Sequence, residues 1–155
     1  MGILHAALAP VIVLGGVKPN LVLVAVVMTT VLLGFLPGIT WAFVAGLAAN
    51  LLVGDPLGSV PLAMLIVAAV TAGGARVLGR MTWVYPVAAV FVGSVVADVA
   101  MLAIGQLVAD TPLVGGLPTE IILAAAVLNA AIAALVLVPA RLLVARYAPD
   151  EAPAW

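Results

Sequence analysis

From Glu120 to Ala145 the chain reads EIILAAAVLNAAIAALVLVPARLLVA, an apolar run interrupted only by Asn129, Pro139 and Arg141. Its first part, Ile121–Leu128, has neither the polar–apolar alternation of a barrel strand nor the one-sided stripe of a soluble helix. Leu21–Val27 reads the same way. Both stretches are predicted to be helices, and about 20 mainly apolar residues are enough to cross a bilayer.

The rest of the composition agrees. Of 155 residues 67% are hydrophobic and 7% charged, with a mean hydropathy of +1.44, whereas a soluble domain carries roughly 25% charged residues. Five Lys/Arg and six Asp/Glu cannot coat a water-facing surface. The expected medium is lipid. A net charge of −1 leaves no basic face for nucleic acid. The absence of cysteine removes disulfides, thiolate nucleophiles and Cys-ligated metals. The single histidine, His5, cannot build a multi-histidine zinc site and reads as an interfacial or packed residue. No metal or other cofactor is expected.

Pro, Gly and charged separators divide the chain into six candidate spans: Ile3–Val17, Asn20–Leu36, Gly38–Val53, Leu57–Gly74, Trp83–Val108 and Glu120–Ala145. The separators are Lys18-Pro19, Leu36-Pro37-Gly38, Gly54-Asp55-Pro56, the Arg76–Arg80 stretch and the loop Asp110–Thr119. Ile3–Val17 lacks the cationic start and the small-residue cleavage site of a signal peptide, so it is expected to remain as the first helix. The expected fold is an all-α polytopic membrane bundle of about six transmembrane helices, one domain over residues 1–155 with a short polar tail, Ala148–Trp155.

Charge sets the expected orientation. With six spans and a cytoplasmic N-terminus, Arg76, Arg80, Arg141 and Arg146 fall inside, and Lys18, Asp55, Asp110 and Glu120 outside. Trp41, Trp83, Tyr85 and Tyr147 gather at the same inner interface, where amphipathic rings prefer to sit. Both termini are therefore expected in the cytoplasm.

Two small-residue faces stand out. Gly38, Ala42, Gly46, Asn50 and Gly54 recur every four residues on the third candidate span. In lipid, small residues let helix backbones approach closely. This face serves either packing within the bundle or docking of a partner's transmembrane helix. Ala126, Ala130 and Ala134, with Asn129 and Ala133 beside them, form a second such face open to the same two uses. Asn50 and Asn129 read as structural hydrogen-bonding residues between helices. Asp98 is intramembrane, where an ionised carboxylate costs on the order of 3 kcal/mol. It is either neutral and bonded to Ser94, Asn50 or Asn129, or faces a wet pocket, or pairs with another protein. Asn20 is placed to cap the second span, and Gly54-Asp55-Pro56-Leu57-Gly58 reads as a tight turn whose Asp55 caps the fourth.

The order Pro19-Asn20-Leu21-Val22-Leu23, Gly38, Phe43 to Leu51 and Pro56-Leu57-Gly58 resembles the MreD family of bacterial rod-shape-determining membrane proteins. That family shows a PD-L-L start to an early helix, a GF-x-x-GL-x-x-D-L helix and a PLG turn. The matching positions here are Pro19, Asn20, Phe43, Gly46, Leu47, Asn50, Pro56, Leu57 and Gly58. Two of them depart from the pattern: Asn20 and Asn50 stand where the family has acids, keeping an acceptor oxygen but losing the charge. The resemblance implies a non-catalytic scaffold of the cell-wall elongation machinery in the bacterial inner membrane. It implies an MreC-like single-span partner and, through it, RodA and an elongation penicillin-binding protein.

An enzyme is not expected. There is no His-Glu-x-x-His, no Asp-rich phosphatidyl-transfer motif, no Ser/His pair, and no two carboxylates close in sequence within a span. The rival reading is a vitamin-binding S-component of an energy-coupling-factor transporter, which is also a compact six-helix protein. Those proteins carry an Ala-x-x-x-Ala docking pair on the first helix, whereas Ala6 is followed at that spacing by Pro10 and Ala7 by Val11.

Overall fold

The computed structural model describes residues 18–78, 84–109 and 118–147. They form five helices, α1 (Leu21–Leu33), α2 (Phe35–Leu52), α3 (Ser59–Leu78), α4 (Val84–Ala109) and α5 (Thr119–Tyr147), and no strand occurs among the described residues. These correspond to the second to sixth candidate spans. The expected first span, Ile3–Val17, lies outside the described residues, as do His5, Arg80, Trp83, Asp110 and the tail Ala148–Trp155. Phe35–Leu52, Ser59–Val77, Val84–Val108 and Thr119–Tyr147 are each long and apolar enough to cross a membrane.

The break between α1 and α2 falls at Gly34, not at the expected Leu36-Pro37-Gly38. Gly34 adopts φ 105°, ψ −179°, a conformation that only glycine enters without steric penalty. Its N–H donates to the Thr30 carbonyl at 3.1 Å, closing α1, while its carbonyl accepts the Gly38 N–H at 3.1 Å, opening α2. Pro37 then falls in the first turn of α2, where a missing N–H forfeits no intrahelical bond.

Helix α1 is the hub. It packs against α2, α3, α4 and α5, while each of those otherwise touches only its neighbours in sequence; α2 and α5 make no contact with each other. Helix α1 has no polar face, so any side of it can be packed against a neighbour. Leu23, Val26 and Val27 are completely buried, packed with Met64 and Val67 of α3 and Val90 of α4 in one core.

Helix α1 is also short. Its 13 residues span about 20 Å at 1.5 Å per residue, less than the thickness of a hydrocarbon core. The N–H of Asn20 donates to the side chain of Asn129, which stands ten residues beyond the start of α5 at Thr119. That is about 15 Å along the helix axis. The start of α1 therefore sits deep within the bundle, beside the middle of its longer neighbours.

Candidate functional site

Gly38, Ala42, Gly46 and Asn50 all face inward, buried. A Cβ on Gly46 would stand 2.9 Å from Cα of Pro61, so the glycine is what lets α2 lie against α3. A Cβ on Gly38 would drive into Thr30, whose Cβ lies 2.9 Å away. Thr30 is accommodated there because its hydroxyl donates to the Val26 carbonyl at 2.7 Å within its own helix. Of the two uses open to this face, packing within the bundle is the one it serves, and it offers no groove to a partner. Gly54, the fifth member of the series, lies past the end of α2, exposed, with φ 57°.

Asn50 ties a turn rather than crossing between helix midpoints. Its Nδ2 donates to the Asp55 carbonyl at 3.2 Å, and its Oδ1 accepts the Gly58 N–H at 2.7 Å. Both halves of a buried amide are thereby satisfied within the α2–α3 connection. Gly58 has φ 90°, and its carbonyl accepts the Leu62 N–H at 3.1 Å, so α3 starts from Gly58. This corrects the expectation for Asp55. An N-cap side chain reaches two or three residues ahead, and Asp55 lies too far upstream of Ser59.

Asn20 does cap α1, its Oδ1 accepting the Leu23 N–H at 3.0 Å. Asn129 completes the arrangement: Oδ1 takes the Asn20 N–H at 2.8 Å, and Nδ2 donates to Ser94 Oγ of α4 at 2.9 Å. One amide thus links α1, α4 and α5. It also satisfies the Asn20 N–H, a backbone donor with no partner inside its own helix. The buried face of α5 is Ile122, Ala126, Asn129, Ala133 and Leu137. The expected Ala126–Ala130–Ala134 row is not that face, since Ala130 is half-buried and Ala134 exposed. The buried positions of α5 advance by four, three, four and four residues, so the seam leaves the Ala126 row after its first member.

Asp98 lies on α4 eleven residues before its end at Ala109. Each polar group named for it in the sequence has a different partner: Ser94 holds Asn129, Asn129 holds Asn20, and Asn50 holds the turn. Asp98 has no hydrogen bond or ion pair among the described residues. Asp98 is among the residues lining an open hollow of about 130 Å³ between α1, α2, α3 and α4. Asn20 and Asp55 are the other polar residues on the lining; Ala49, Val53 and Met64 are among the apolar ones. Sequence reasoning missed that Asp55 and Asp98 line one hollow, because the two belong to different helical hairpins and no spacing rule connects them.

The family-like positions divide by direction. Pro19, Gly46 and Asn50 are buried, and Asn20 is half-buried at the head of α1. Phe43 and Leu47 point outward from α2, in line with the exposed Leu36 and Leu51. Pro56 and Leu57 project from the turn, Leu57 with 82% of its surface free.

Helices of this length and apolarity, with large aliphatic side chains outward and amides paired inward, define the chain as a helical membrane protein. No family model, curated protein or solved structure matches it.

Proposed function

We propose that this chain is a non-catalytic scaffold of the bacterial cell-wall elongation machinery, as its resemblance to the MreD family implies. In this reading it sits in the inner membrane with six spans, counting Ile3–Val17, and with both termini cytoplasmic. It docks an MreC-like single-span protein and through it engages RodA and an elongation penicillin-binding protein.

One observation carries the reading. The two separate pieces of the family-like pattern, the end of the glycine-rich helix and the Pro56-Leu57-Gly58 turn, are bonded to each other by Asn50 through the Gly58 N–H at 2.7 Å. Asn50, standing where the family has an acid, thereby supplies the acceptor oxygen that an acid would supply. Asn20 likewise performs the capping that an acid at that position would perform. With the Gly38–Asn50 face committed to internal packing, the partner's anchor meets the outward ridge of Phe43 and Leu47, residues that contribute little to this chain's own core.

The vitamin-binding alternative has less support among the described residues. Pockets for drug-sized ligands run to roughly 300–1,000 Å³, and the hollow beside Asp98 holds about 130 Å³.

The test is co-purification of the tagged chain with the MreC-like protein encoded in the same organism. Recovery of the two together, reduced in a Phe43→Ala, Leu47→Ala double variant that stays monodisperse, supports the scaffold. Failure of any MreC-like protein to co-purify with the unaltered chain overturns it.

A further inference from the structure

We propose that α1 carries a docking face for the chain's own N-terminal apolar segment, Ile3–Val17, which lies antiparallel to α1 between α2 and α5. The inference rests on the apolar reading of that segment and stands without the scaffold reading.

The face is what the other helices leave uncovered. Among the described residues α2, α3, α4 and α5 surround α1 in chain order, and α2 and α5 do not touch. Val22–Val24, Val26–Met28 and Thr30 of α1 are buried. Leu21, Ala25 and Thr29, a row in steps of four along one side of the helix, are only half-buried. A Cβ on Gly38 of α2 would meet Thr30, and one on Gly93 of α4 would meet Val27. At 3.6 residues per turn the row lies roughly opposite both of those contacts. The same turn carries α2 from Gly46, which meets α3, past Gly38, which meets α1, to Trp41 and Ala48, both half-buried. The uncovered row of α1 therefore looks out between α2 and α5.

Length and connection identify the occupant. Residues 1–17, 79–83, 110–117 and 148–155 lie outside the described set. The two internal segments have five and eight residues and join helices already packed on each other. Residues 148–155 include Asp150 and Glu151. Only the first segment holds an apolar run that matches α1: coiled as a helix, Ile3–Val17 would extend about 22 Å, against about 20 Å for α1. Lys18, Pro19 and Asn20 alone separate it from Leu21, and so short a link makes consecutive helices antiparallel neighbours. Pro19 is buried and Asn20 is held to Asn129 of α5 at 2.8 Å, so the segment departs beside one wall of the opening. Ala25 and Thr29 are small enough for another backbone to approach, which favours helix contact in lipid.

The chain has no cysteine, so introduced pairs report proximity directly. In the full chain, Ala25→Cys is combined in turn with Val11→Cys, Ile12→Cys, Val13→Cys and Leu14→Cys, and membranes are oxidised with copper phenanthroline. Ala25 lies five positions after Asn20, and the four partners lie four to seven positions before Lys18. Four consecutive residues complete a helical turn, so one of them faces Ala25 whatever the rotation. The expected result is an intrachain disulfide for at least one pair, read as loss of maleimide labelling in the monomer. With Thr29→Cys the reactive partners are expected to move four positions toward the N-terminus, into Ala7–Pro10, a series that also serves if Ala25→Cys does not fold. Val92→Cys, exposed on α4, is expected to pair with none of them. Absence of an intrachain disulfide from both series, partners that fail to move in that direction, or equal formation with Val92→Cys would each overturn the proposal. So would disulfide-linked dimers of Ala25→Cys alone, which would place a second copy on the face.

Discussion

The N–H of Asn20 and the side chain of Asn129 meet at 2.8 Å across 109 positions of sequence. The contact fixes the depth of the bundle's central helix. A helix of 13 residues, about 20 Å long, is shorter than the hydrocarbon core of a bilayer, and its first N–H groups have no partner inside the helix. Asn20 caps one of those groups with its own oxygen and gives its own N–H to Asn129. The polar layer in the middle of this apolar protein is a consequence of the short hub.

Asn129→Leu should therefore cost more than loss of an ordinary interhelical bond, because it orphans the Asn20 N–H and the Ser94 hydroxyl together. We expect a loss of about 1–3 kcal/mol for the buried donor, read as unfolding in mixed micelles with increasing SDS. Ser94→Ala, which removes only one arm, should cost less, about 0.6 kcal/mol. Equal losses for the two variants would contradict the central role of the Asn20 contact.

Gly46→Ala should destabilise by about 1–3 kcal/mol, the usual penalty for overpacking, since its Cβ would lie 2.9 Å from Pro61 backbone. Gly73→Ala provides the contrast. Nothing lies within 4 Å of a Cβ there, so replacing a mid-helix glycine should be neutral or stabilising by up to about 1 kcal/mol. Thermal unfolding of both variants checks the pair, and a tolerant Gly46 would mean that α2 and α3 are not in close backbone contact.

Gly34→Ala should cost about 1–3 kcal/mol, because φ 105° is strained for any residue bearing a Cβ. Pro37→Ala should change stability by less than about 0.5 kcal/mol. The order of the two reverses what proline alone suggests from the sequence. Parallel melts of the two single variants would reveal it.

Asn50→Asp should be tolerated better than Asn50→Ala. Protonated, the aspartic acid keeps an oxygen for the Gly58 N–H and a donor for the Asp55 carbonyl, whereas alanine leaves both without a partner. A retained melting transition for the aspartate alongside a lowered one for the alanine is the expected outcome. The reverse order would separate this residue from the family-like acid it replaces.

Much of this fold is legible in the residues. Apolar runs located all five described helices because lipid imposes length and continuity on them, and Asn20 announced itself as a cap by standing just before the run. Helix limits at glycine were less legible. The pair Pro37-Gly38 looks like a breaker, but a proline in a first turn is compatible with helix, and only the φ of Gly34 reveals the true hinge. The polar contacts were least legible. Hydrogen-bond capacity was evident at Asn50, Ser94 and Asn129, yet their partners depend on helix depth and rotation, which apolar sequences barely encode because every face is acceptable to lipid. For the same reason the hollow lined by Asp55 and Asp98 has no signature in sequence spacing.

Site-specific photocrosslinking in the native membrane tests the scaffold reading most directly. A photoreactive residue at Phe43 or Leu47, on the outward ridge of α2, should yield an adduct with an MreC-like single-span protein. The same probe at Leu135, exposed on α5, should not. Absence of that adduct from both α2 positions, or its equal formation at Leu135, would contradict a scaffold that grips its partner along α2.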